Sequence, residues 1–271
     1  MARGRMDAEI SLKTSVDVAR IRRVCRIVEK CFHYLAPCVR AGISTEELER
    51  LAGRFLDAQG AQAALRGFRG FPGCICTSVN NVAAHGIPTN RLLETGDVLT
   101  IDITASVDGW HGDAAWTFLV GEADADRRRL IRGAWAATLA GIRVAVAGNH
   151  IGDVGAAIQE AARKHGCSVI EDYVGHGIGR VMHEDPMVPN FGSPDTGPRI
   201  VSGMVFTIEP ILTLGAADVH VSSDGWTLVT GDGSLSAQFE HTIAVFRDYT
   251  EVLTFSNRDL FSFAELPPAL V

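Results

Sequence analysis

The sequence predicts an α+β fold in which pairs of helices pack on antiparallel strands. Apolar residues recur with a helical period in two pairs of segments, and segments rich in β-formers follow each pair. Turn sequences such as Asp108-Gly109 separate the strand-like segments, which favours hairpins over long βαβ crossovers. With 271 residues, 46% of them hydrophobic, the chain can bury one large core. We expect a short extension over residues 1–12 and a single domain over residues 13–271.

Four helices are predicted from apolar side chains that recur every three or four residues. Ser44 and Glu47 form an S-x-x-E capping-box pattern at the start of the second helix. Gly60 and Gly166 mark the ends of the second and fourth helices. The predicted helices cover residues 16–35, 45–60, 126–146 and 153–165.

The two helix pairs resemble each other at one offset. A shift of 106 residues superposes Gly42 on Gly148 and Gly60 on Gly166. Either two amphipathic helix pairs agree by chance, or the chain contains an internal duplication. In the second case the repeats would cover residues 13–120 and 121–250.

Six strands are predicted from apolar or alternating segments bounded by turn residues. Three follow the first helix pair and three follow the second. They cover Ile75–Val79, Val98–Val107, Trp116–Val120, Val205–Leu214, Trp226–Val229 and Ala237–Phe246.

Composition restricts the partners and the cellular location. The chain carries 25 Lys and Arg against 32 Asp and Glu, a net charge of −7, so it lacks the positive field expected of a nucleic-acid-binding protein. Its six cysteines form no C-x-x-C pair, which is typical of reduced thiols in the cytosol. No long apolar run or signal-peptide core is present. We therefore expect a cytoplasmic protein that binds neither nucleic acid nor membranes.

Several catalytic motifs are absent or incomplete. In the glycine-rich segment 175–180, Arg180 stands where a dinucleotide-binding motif needs glycine. His183-Glu184 begins like the zinc motif H-E-x-x-H, but Met187 replaces the second histidine and Pro186 would disturb the required helix. There is also no G-x-S-x-G elbow and no P-loop lysine motif.

Four acidic residues, Asp102, Asp113, Glu209 and Glu240, lie in or beside strand-like segments. By itself, Asp102 indicates an outward-facing or cap-bound carboxylate, and Asp113 is typical of a turn. The two glutamates are different, because an unpaired carboxylate buried in an apolar strand is costly. Each glutamate alone is compatible with a structural ion pair or with a metal ligand.

Together these carboxylates, with one or two histidines and no cysteine, form an oxygen-rich set that suits Mn²⁺, Fe²⁺ or Co²⁺ better than structural zinc. Two divalent cations would balance four negative charges. A pair of metal ions about 3.5–4 Å apart activates water and stabilises both the attacking and the leaving oxygen. The combination predicts hydrolysis.

At this point the chain, from about Lys13 to Thr254, closely resembles the type I methionine aminopeptidases of bacteria. Each matching segment is weak evidence alone, but seven segments in the same order are specific. They are Ser78–Pro88, Gly96–Asp102, His111–Asp113, Gly175–Gly179, Met182–Pro186, Phe206–Pro210 and Ser236–Thr242.

The resemblance implies the pita-bread fold, in which two pseudo-twofold related helix pairs back a curved antiparallel sheet. It implies removal of the initiator methionine from nascent polypeptides, at the ribosome, when the next residue is small. It also implies a monomer that binds two divalent ions, Co²⁺, Mn²⁺, Fe²⁺ or Zn²⁺. Asp102 would chelate one ion, Asp113 and Glu240 would bridge both, and His176 and Glu209 would hold the other.

The resemblance also assigns residues around the metals. His85 and His183 would contact the substrate near the scissile amide, and Glu209 would also transfer a proton. We expect the flanking glycines of His176 to let the backbone crowd a metal. The methionine pocket would be lined by Phe68, Phe71, Cys76, Met182 and Trp226, and a structural Na⁺ or K⁺ would lie at Asn80, Val82 and Ser236.

Two alternatives share the same fold. One is an X-Pro aminopeptidase or prolidase-like hydrolase, although the short region before the first helix argues against it. The absence of a helical insertion between His183 and Glu209 argues against a type II methionine aminopeptidase. The other is a non-catalytic binding protein. Such a protein would lose metal ligands, whereas all five are present here.

Overall fold

The computed structural model describes residues 10–255. Residues 1–9 of the predicted extension and residues 256–271 of the predicted domain lie outside the described residues. All four predicted helices are present, with ends that lie close to the predicted ones. They are α1 (Ser15–Leu35), α2 (Thr45–Ala58), α3 (Ala125–Val144) and α4 (Ile151–Lys164).

The helix starts follow from local side-chain chemistry. The Thr14 hydroxyl accepts a hydrogen bond from the Asp17 N–H, and the Asp17 carboxylate accepts one from the Thr14 N–H, which closes a capping box before α1. Ser44 caps α2 as predicted by accepting from the Glu47 N–H. The reciprocal half of the predicted box is wrong, because the Glu47 carboxylate pairs with Arg50 one turn further along the helix.

The strands are more numerous than predicted, and most of them are shorter than the predicted segments. Within the described residues the strands are β1 (Gln62–Ala63), β2 (Cys76–Val79), β3 (Val82–Ala84), β4 (Val98–Val107), β5 (Trp110–Leu119), β6 (Ser168–Val169), β7 (Gly175–Gly177), β8 (Glu184–Val188), β9 (Val205–Ile208), β10 (Ile211–Thr213), β11 (Val219–Val221), β12 (Leu228–Thr230), β13 (Ser236–Gln238), β14 (His241–Val245) and β15 (Thr250–Val252). They form four antiparallel sheets, in the orders β15-β14-β9-β7-β8, β1-β4-β2 with β5 on β4, β13-β10-β6 and β11-β12-β3.

The strand β5 begins six residues earlier than predicted, so that Asp113 lies inside a strand and not in a turn. The interpretation of Asp113 as a turn residue is wrong, because β5 runs through it and Gly112 lets the strand pack closely on α1. A Cβ atom at Gly112 would lie 2.9 Å from the backbone nitrogen of Cys25. The predicted turn at Asp108-Gly109 is confirmed, since both residues have positive φ and join β4 to β5.

Two strands that the sequence presents as continuous are interrupted. The predicted strand 205–214 breaks at Glu209-Pro210, and the predicted strand 237–246 breaks at Phe239-Glu240. Pro210 has no N–H to extend a ladder. β9 pairs with β14 up to Ile208 and His241, and β10 then pairs with β13 from Ile211 onwards, in another sheet. Both glutamates therefore lie where the paired chains cross between sheets.

The helix pairs cover the sheets and enclose the core. Helix α1 packs on β4 and β5, and α3 packs on α4 and on β9, β10 and β13. One continuous apolar cluster contains residues from all four helices, including the fully buried Trp135. Thr45 and Ile151, the first residues of α2 and α4, stand 106 positions apart, as the predicted offset requires. Within residues 10–255, no helix combines the length and the apolarity needed to cross a membrane.

Candidate metal centre and substrate cavity

The first two candidate ligands project from one face of the β4–β5 hairpin. Asp113 in β5 lies opposite Thr104, and Asp102 stands two residues before Thr104 in β4. Side chains two residues apart in a strand share a face. The hairpin register thus brings both aspartates to the same side of the sheet.

The other three candidate ligands come from the second half of the chain. His176 is the central residue of β7, Glu209 follows β9, and Glu240 precedes β14. These three strands are neighbours in one sheet, with β9 between β7 and β14. These three residues, which are distant in the sequence, therefore meet on the side of the sheet that faces the β4–β5 hairpin.

Distances bring four of the five side chains together. The His176 Nε2 atom lies 3.5 Å from Glu209 Oε1 and 4.0 Å from Asp113 Oδ2. One ligand atom each of Asp113, His176 and Glu240 lies within 4.8 Å of the others. Asp102 lines the same cavity as these four residues.

Burial destabilises the charged forms of the four carboxylates. Burial raises the pKa of Asp113 to about 7 and that of Glu209 to about 8. Burial and repulsion from neighbouring carboxylates raise the pKa values of Asp102 and Glu240 well above their usual range. Four like charges in one low-dielectric site need a compensating charge.

The residues fit divalent cations. Asp102 Oδ1 and Glu240 Oε1 are buried carboxylate oxygens that have no hydrogen-bond partner among the described residues. Burial lowers the pKa of His176 to about 4, so this imidazole is neutral at pH 7 as a ligand must be. Its Nδ1 lies 3.0 Å from the Gly177 carbonyl oxygen, which leaves Nε2 directed at the carboxylates. Neutral imidazole and carboxylate ligands suit Mn²⁺, Fe²⁺, Co²⁺ or Zn²⁺.

The glycines beside His176 pack against the backbones of neighbouring strands, and their predicted closeness to a metal stays a prediction. A Cβ at Gly175 would lie 2.5 Å from the Thr207 carbonyl oxygen, and a Cβ at Gly177 would collide with the Asp185 carbonyl oxygen. The close neighbours are thus the backbones of β9 and β8. Glycine is required here so that three strands can pack closely around His176.

A cavity of about 310 Å³ opens beside the carboxylates. All five predicted pocket residues line it. Phe71, Cys76 and Met182 are buried in one small apolar cluster, and Phe68 and Trp226 pack against its side. The cavity therefore has an apolar part and a carboxylate part next to each other.

The two predicted substrate-contacting histidines also line the cavity. The His183 ring lies 4.3 Å from the ring of His176 and 5.4 Å from that of Phe68. His85 adopts a positive φ of 55° and packs edge-on against Tyr173. Burial lowers the pKa of both histidines, so both imidazoles are neutral at pH 7.

Comparison with known proteins agrees with this geometry. The model of metallopeptidase family M24 matches residues 19–246, most of the chain. The chain belongs to metallopeptidase family M24. Among its M24 relatives, methionine aminopeptidase A of Synechocystis sp. is 43% identical over 250 residues, covering 92% of this chain and 99% of the relative.

Two solved structures match this chain over most of its length. The crystal structure of methionine aminopeptidase from Rickettsia prowazekii matches with a TM-score of 0.90 and 40% identity, covering 91% of this chain and 100% of that one. The Xaa-Pro dipeptidase of Bacillus anthracis matches with a TM-score of 0.72, 23% identity and coverage of 91% and 62%. That second likeness shows the fold alone. The pita-bread fold predicted from the sequence is confirmed.

Three predicted residues of this M24 chain lie outside the metal cluster. The Asn80 carbonyl oxygen accepts from the Ser236 N–H, and the Ser236 hydroxyl donates to the Leu212 carbonyl oxygen at 2.9 Å. Both groups of the Asn80 side-chain amide are hydrogen-bonded, because its oxygen accepts from the Val98 N–H and its nitrogen donates to Asp97 Oδ1. Val82 begins β3 close by. A monovalent cation at Asn80, Val82 and Ser236 stays a prediction.

Two hydroxyl groups at the candidate metal centre were not predicted from the sequence. Thr104 donates to Asp113 Oδ1 at 2.8 Å, and Thr207 donates to Glu209 Oε1 at 2.6 Å. Each threonine stands two residues from a candidate ligand, Asp102 or Glu209. The period of two in a strand was the available signal. Tyr173 and Arg69, which also line the cavity, have no comparable signal in the sequence.

Proposed function

We propose that this protein removes the initiator methionine from nascent polypeptides when the next residue is small, using two divalent metal ions. The observation that carries the proposal is the shared cavity, in which five candidate metal ligands adjoin an apolar slot. Its relatives of about 40% identity are named methionine aminopeptidases. We place the reaction in the cytoplasm, on chains emerging from the ribosome, with a monomer as the working unit.

The metal ions would be held by Asp102, Asp113, His176, Glu209 and Glu240. Asp113 and Glu240 would bridge them, Asp102 would chelate one, and His176 and Glu209 would hold the other. Bound divalent ions lower the pKa of water and polarise a carbonyl group. Two such ions balance the four carboxylate charges.

The apolar slot would select methionine. Phe71, Cys76 and Met182 form a buried surface, and the edge of Trp226 packs on Phe71 with ring centroids 5.1 Å apart. A narrow apolar slot suits an unbranched thioether. A side chain seated there places its α-amino group and scissile amide beside the carboxylates.

The chain's own groups would handle the protons. Glu209 accepts a hydrogen bond from Thr207 and would carry the proton from the attacking water to the leaving amine. His183 and His85 would hydrogen-bond to the scissile amide as its oxygen gains charge. Both are neutral, so both can donate a proton in a hydrogen bond without bringing a charge to the substrate.

The first test is an assay of Met-Ala-Ser and Ala-Pro-Ala peptides with Co²⁺, Mn²⁺, Fe²⁺ or Zn²⁺ added to chelator-treated protein. We expect free methionine to be released in at least one metal. Cleavage of Ala-Pro-Ala alone would show an X-Pro peptidase. If calorimetric titration of the chelator-treated protein with each of the four metals gave no heat of binding, the chain would instead be a non-catalytic binding protein.

The second test assigns His183. We expect His183→Ala to keep its metals while kcat falls by about 10²–10³, as is typical of losing one stabiliser of the developing oxyanion. His220→Ala is the matched control, because His220 is exposed on β11 and does not line the cavity. Full turnover in His183→Ala would remove this residue from the mechanism.

A further inference from the structure

Lys13 has an unusual environment for a lysine. It lies just before α1, yet its side chain is only 5% exposed. Its ammonium donates to Glu184 Oε2 at 2.5 Å and to the Ser11 carbonyl oxygen at 3.0 Å. Its own N–H donates to the Gly203 carbonyl oxygen at 2.7 Å. A lysine is almost never buried unless it is paired, so the segment before α1 is tied to Glu184.

Glu184 is the residue that follows His183. While Oε2 receives the ammonium of Lys13, Oε1 accepts a 3.1 Å hydrogen bond from the Val181 N–H. This second bond closes a small loop whose two enclosed residues are Met182 and His183. One carboxylate thus fixes both the loop and its attachment to the chain before α1.

The two enclosed residues face the substrate cavity. Met182 is 5% exposed and belongs to the apolar slot, and the His183 ring packs on His176. The packing around the ion pair is equally tight. A Cβ at Gly179 would lie 2.5 Å from Lys13 Cε and 2.8 Å from Glu184 Oε1. A side chain at position 179 would have to displace one member of the pair.

We propose that Lys13, through Glu184, is a positioning residue that holds His183 in its working orientation. Lys13 touches neither the cavity nor a candidate metal ligand. Because a misplacement of about 1 Å lowers catalysis by as much as about 100-fold, the pair matters for turnover and not only for stability. The inference rests on the role proposed above for His183.

The experiment compares Lys13→Met and Glu184→Gln in the wild-type and His183→Ala backgrounds. Lys13→Met removes the charge and keeps the length of the side chain. Glu184→Gln removes the negative charge, and its single amide oxygen can accept from either the Val181 N–H or the Lys13 ammonium but not from both. The control is Arg22→Met, which breaks an ion pair between Arg22 in α1 and Glu251 in β15, with both hydrogen bonds at 2.7 Å.

We expect kcat of Lys13→Met to fall by about 10- to 100-fold with a smaller change in KM and unchanged metal content. Glu184→Gln should fall less, and Arg22→Met should keep wild-type kcat. In the His183→Ala background the Lys13→Met effect should disappear, because two changes that act through one side chain are not additive. If Lys13→Met does not fold, Glu184→Gln is compared in the wild-type and His183→Ala backgrounds in its place.

An equal fall in kcat in both backgrounds, or wild-type kcat in Lys13→Met, would overturn the proposal. A readout independent of activity is the NMR chemical shift of the His183 imidazole protons at a fixed pH in the metal-free protein. We expect Lys13→Met to move the His183 resonance and Arg22→Met to leave it in place. If His183→Ala itself has full activity, the proposed role of His183 fails, while a moved resonance still shows that Lys13 positions the ring.

Discussion

Thr207 and Glu209 are joined by a 2.6 Å hydrogen bond from the threonine hydroxyl to Glu209 Oε1. The same hydroxyl accepts from the His176 N–H at 3.0 Å. One uncharged side chain therefore orients two candidate ligands that belong to different strands. Because a ligand fixed before the metal arrives loses less freedom on binding, this hydroxyl should raise metal affinity.

Thr207→Val tests that relationship. The variant keeps the volume of the side chain but leaves the His176 N–H without its acceptor and Glu209 free to rotate. We expect metal affinity to fall by about 10- to 100-fold, as is typical of losing such a supporting group. Calorimetric titration with Mn²⁺ measures the change. Thr100→Val is the control, because Thr100 bonds to Thr117 in the β4–β5 hairpin and not to a candidate ligand. Equal affinities for Thr207→Val and wild type would contradict the prediction.

Glu240→Gln should lose metal and activity together. Glu240 is 2% exposed, and its Oε1 has no hydrogen-bond partner among the described residues. The amide has the same shape but supplies no charge to bridge two cations. Metal analysis after gel filtration, beside peptide turnover, measures both properties. A variant that retained two ions for each chain would exclude Glu240 as a bridging ligand.

The stability of the metal-free protein should decrease as pH rises. The folded pKa values of Asp113 and Glu209, about 7 and about 8, lie above those of the unfolded chain. Above about pH 6.5 the unfolded chain has released the protons of its carboxyl groups and of most histidines, so the free energy of unfolding falls from about pH 6.5 to about pH 8. Below that range the buried histidines, such as His176 with a folded pKa of about 4, act in the opposite direction. Bound divalent cations should remove most of this loss, since they replace the protons.

Urea denaturation of chelator-treated protein at about pH 6.5 and about pH 8, with and without Mn²⁺, measures that effect. Glu209→Gln should flatten the pH dependence of the metal-free protein, because one of the titrating groups is gone. Greater stability of the metal-free protein at the higher pH would be the opposite of the expected sign.

Phe71→Ala should loosen the selection of methionine. Phe71 is 1% exposed and forms part of the apolar slot. Its removal should lower kcat/KM for methionyl peptides by about 10- to 100-fold and reduce the discrimination against phenylalanyl peptides. Phe55→Ala is the control, because Phe55 stacks on Tyr34 with ring centroids 5.1 Å apart and does not line the cavity. Unchanged discrimination would place the side-chain pocket elsewhere.

The sequence by itself determined the elements that depend on local periodicity. The four helices and the strand over 98–107 follow from spacings of three to four and of two residues. The motif order supplied the ligand types and the family resemblance, because these are properties of short segments. The sequence also placed Asp102 and Thr104 on one face, although the hydroxyl was overlooked.

Tertiary structure decided what depends on pairing between distant segments. The breaks at Glu209 and Glu240 arise where two antiparallel chains cross from one sheet to another, and no local pattern encodes that crossing. Asp113 is typical of a turn in the sequence, but Gly112 lets β5 pack against α1, so that Asp113 lies inside a strand. The burial of Lys13 on Glu184, 171 residues away, is of the same kind. Such contacts are set by the packing of the whole chain, since charge and backbone groups must find partners once water is excluded.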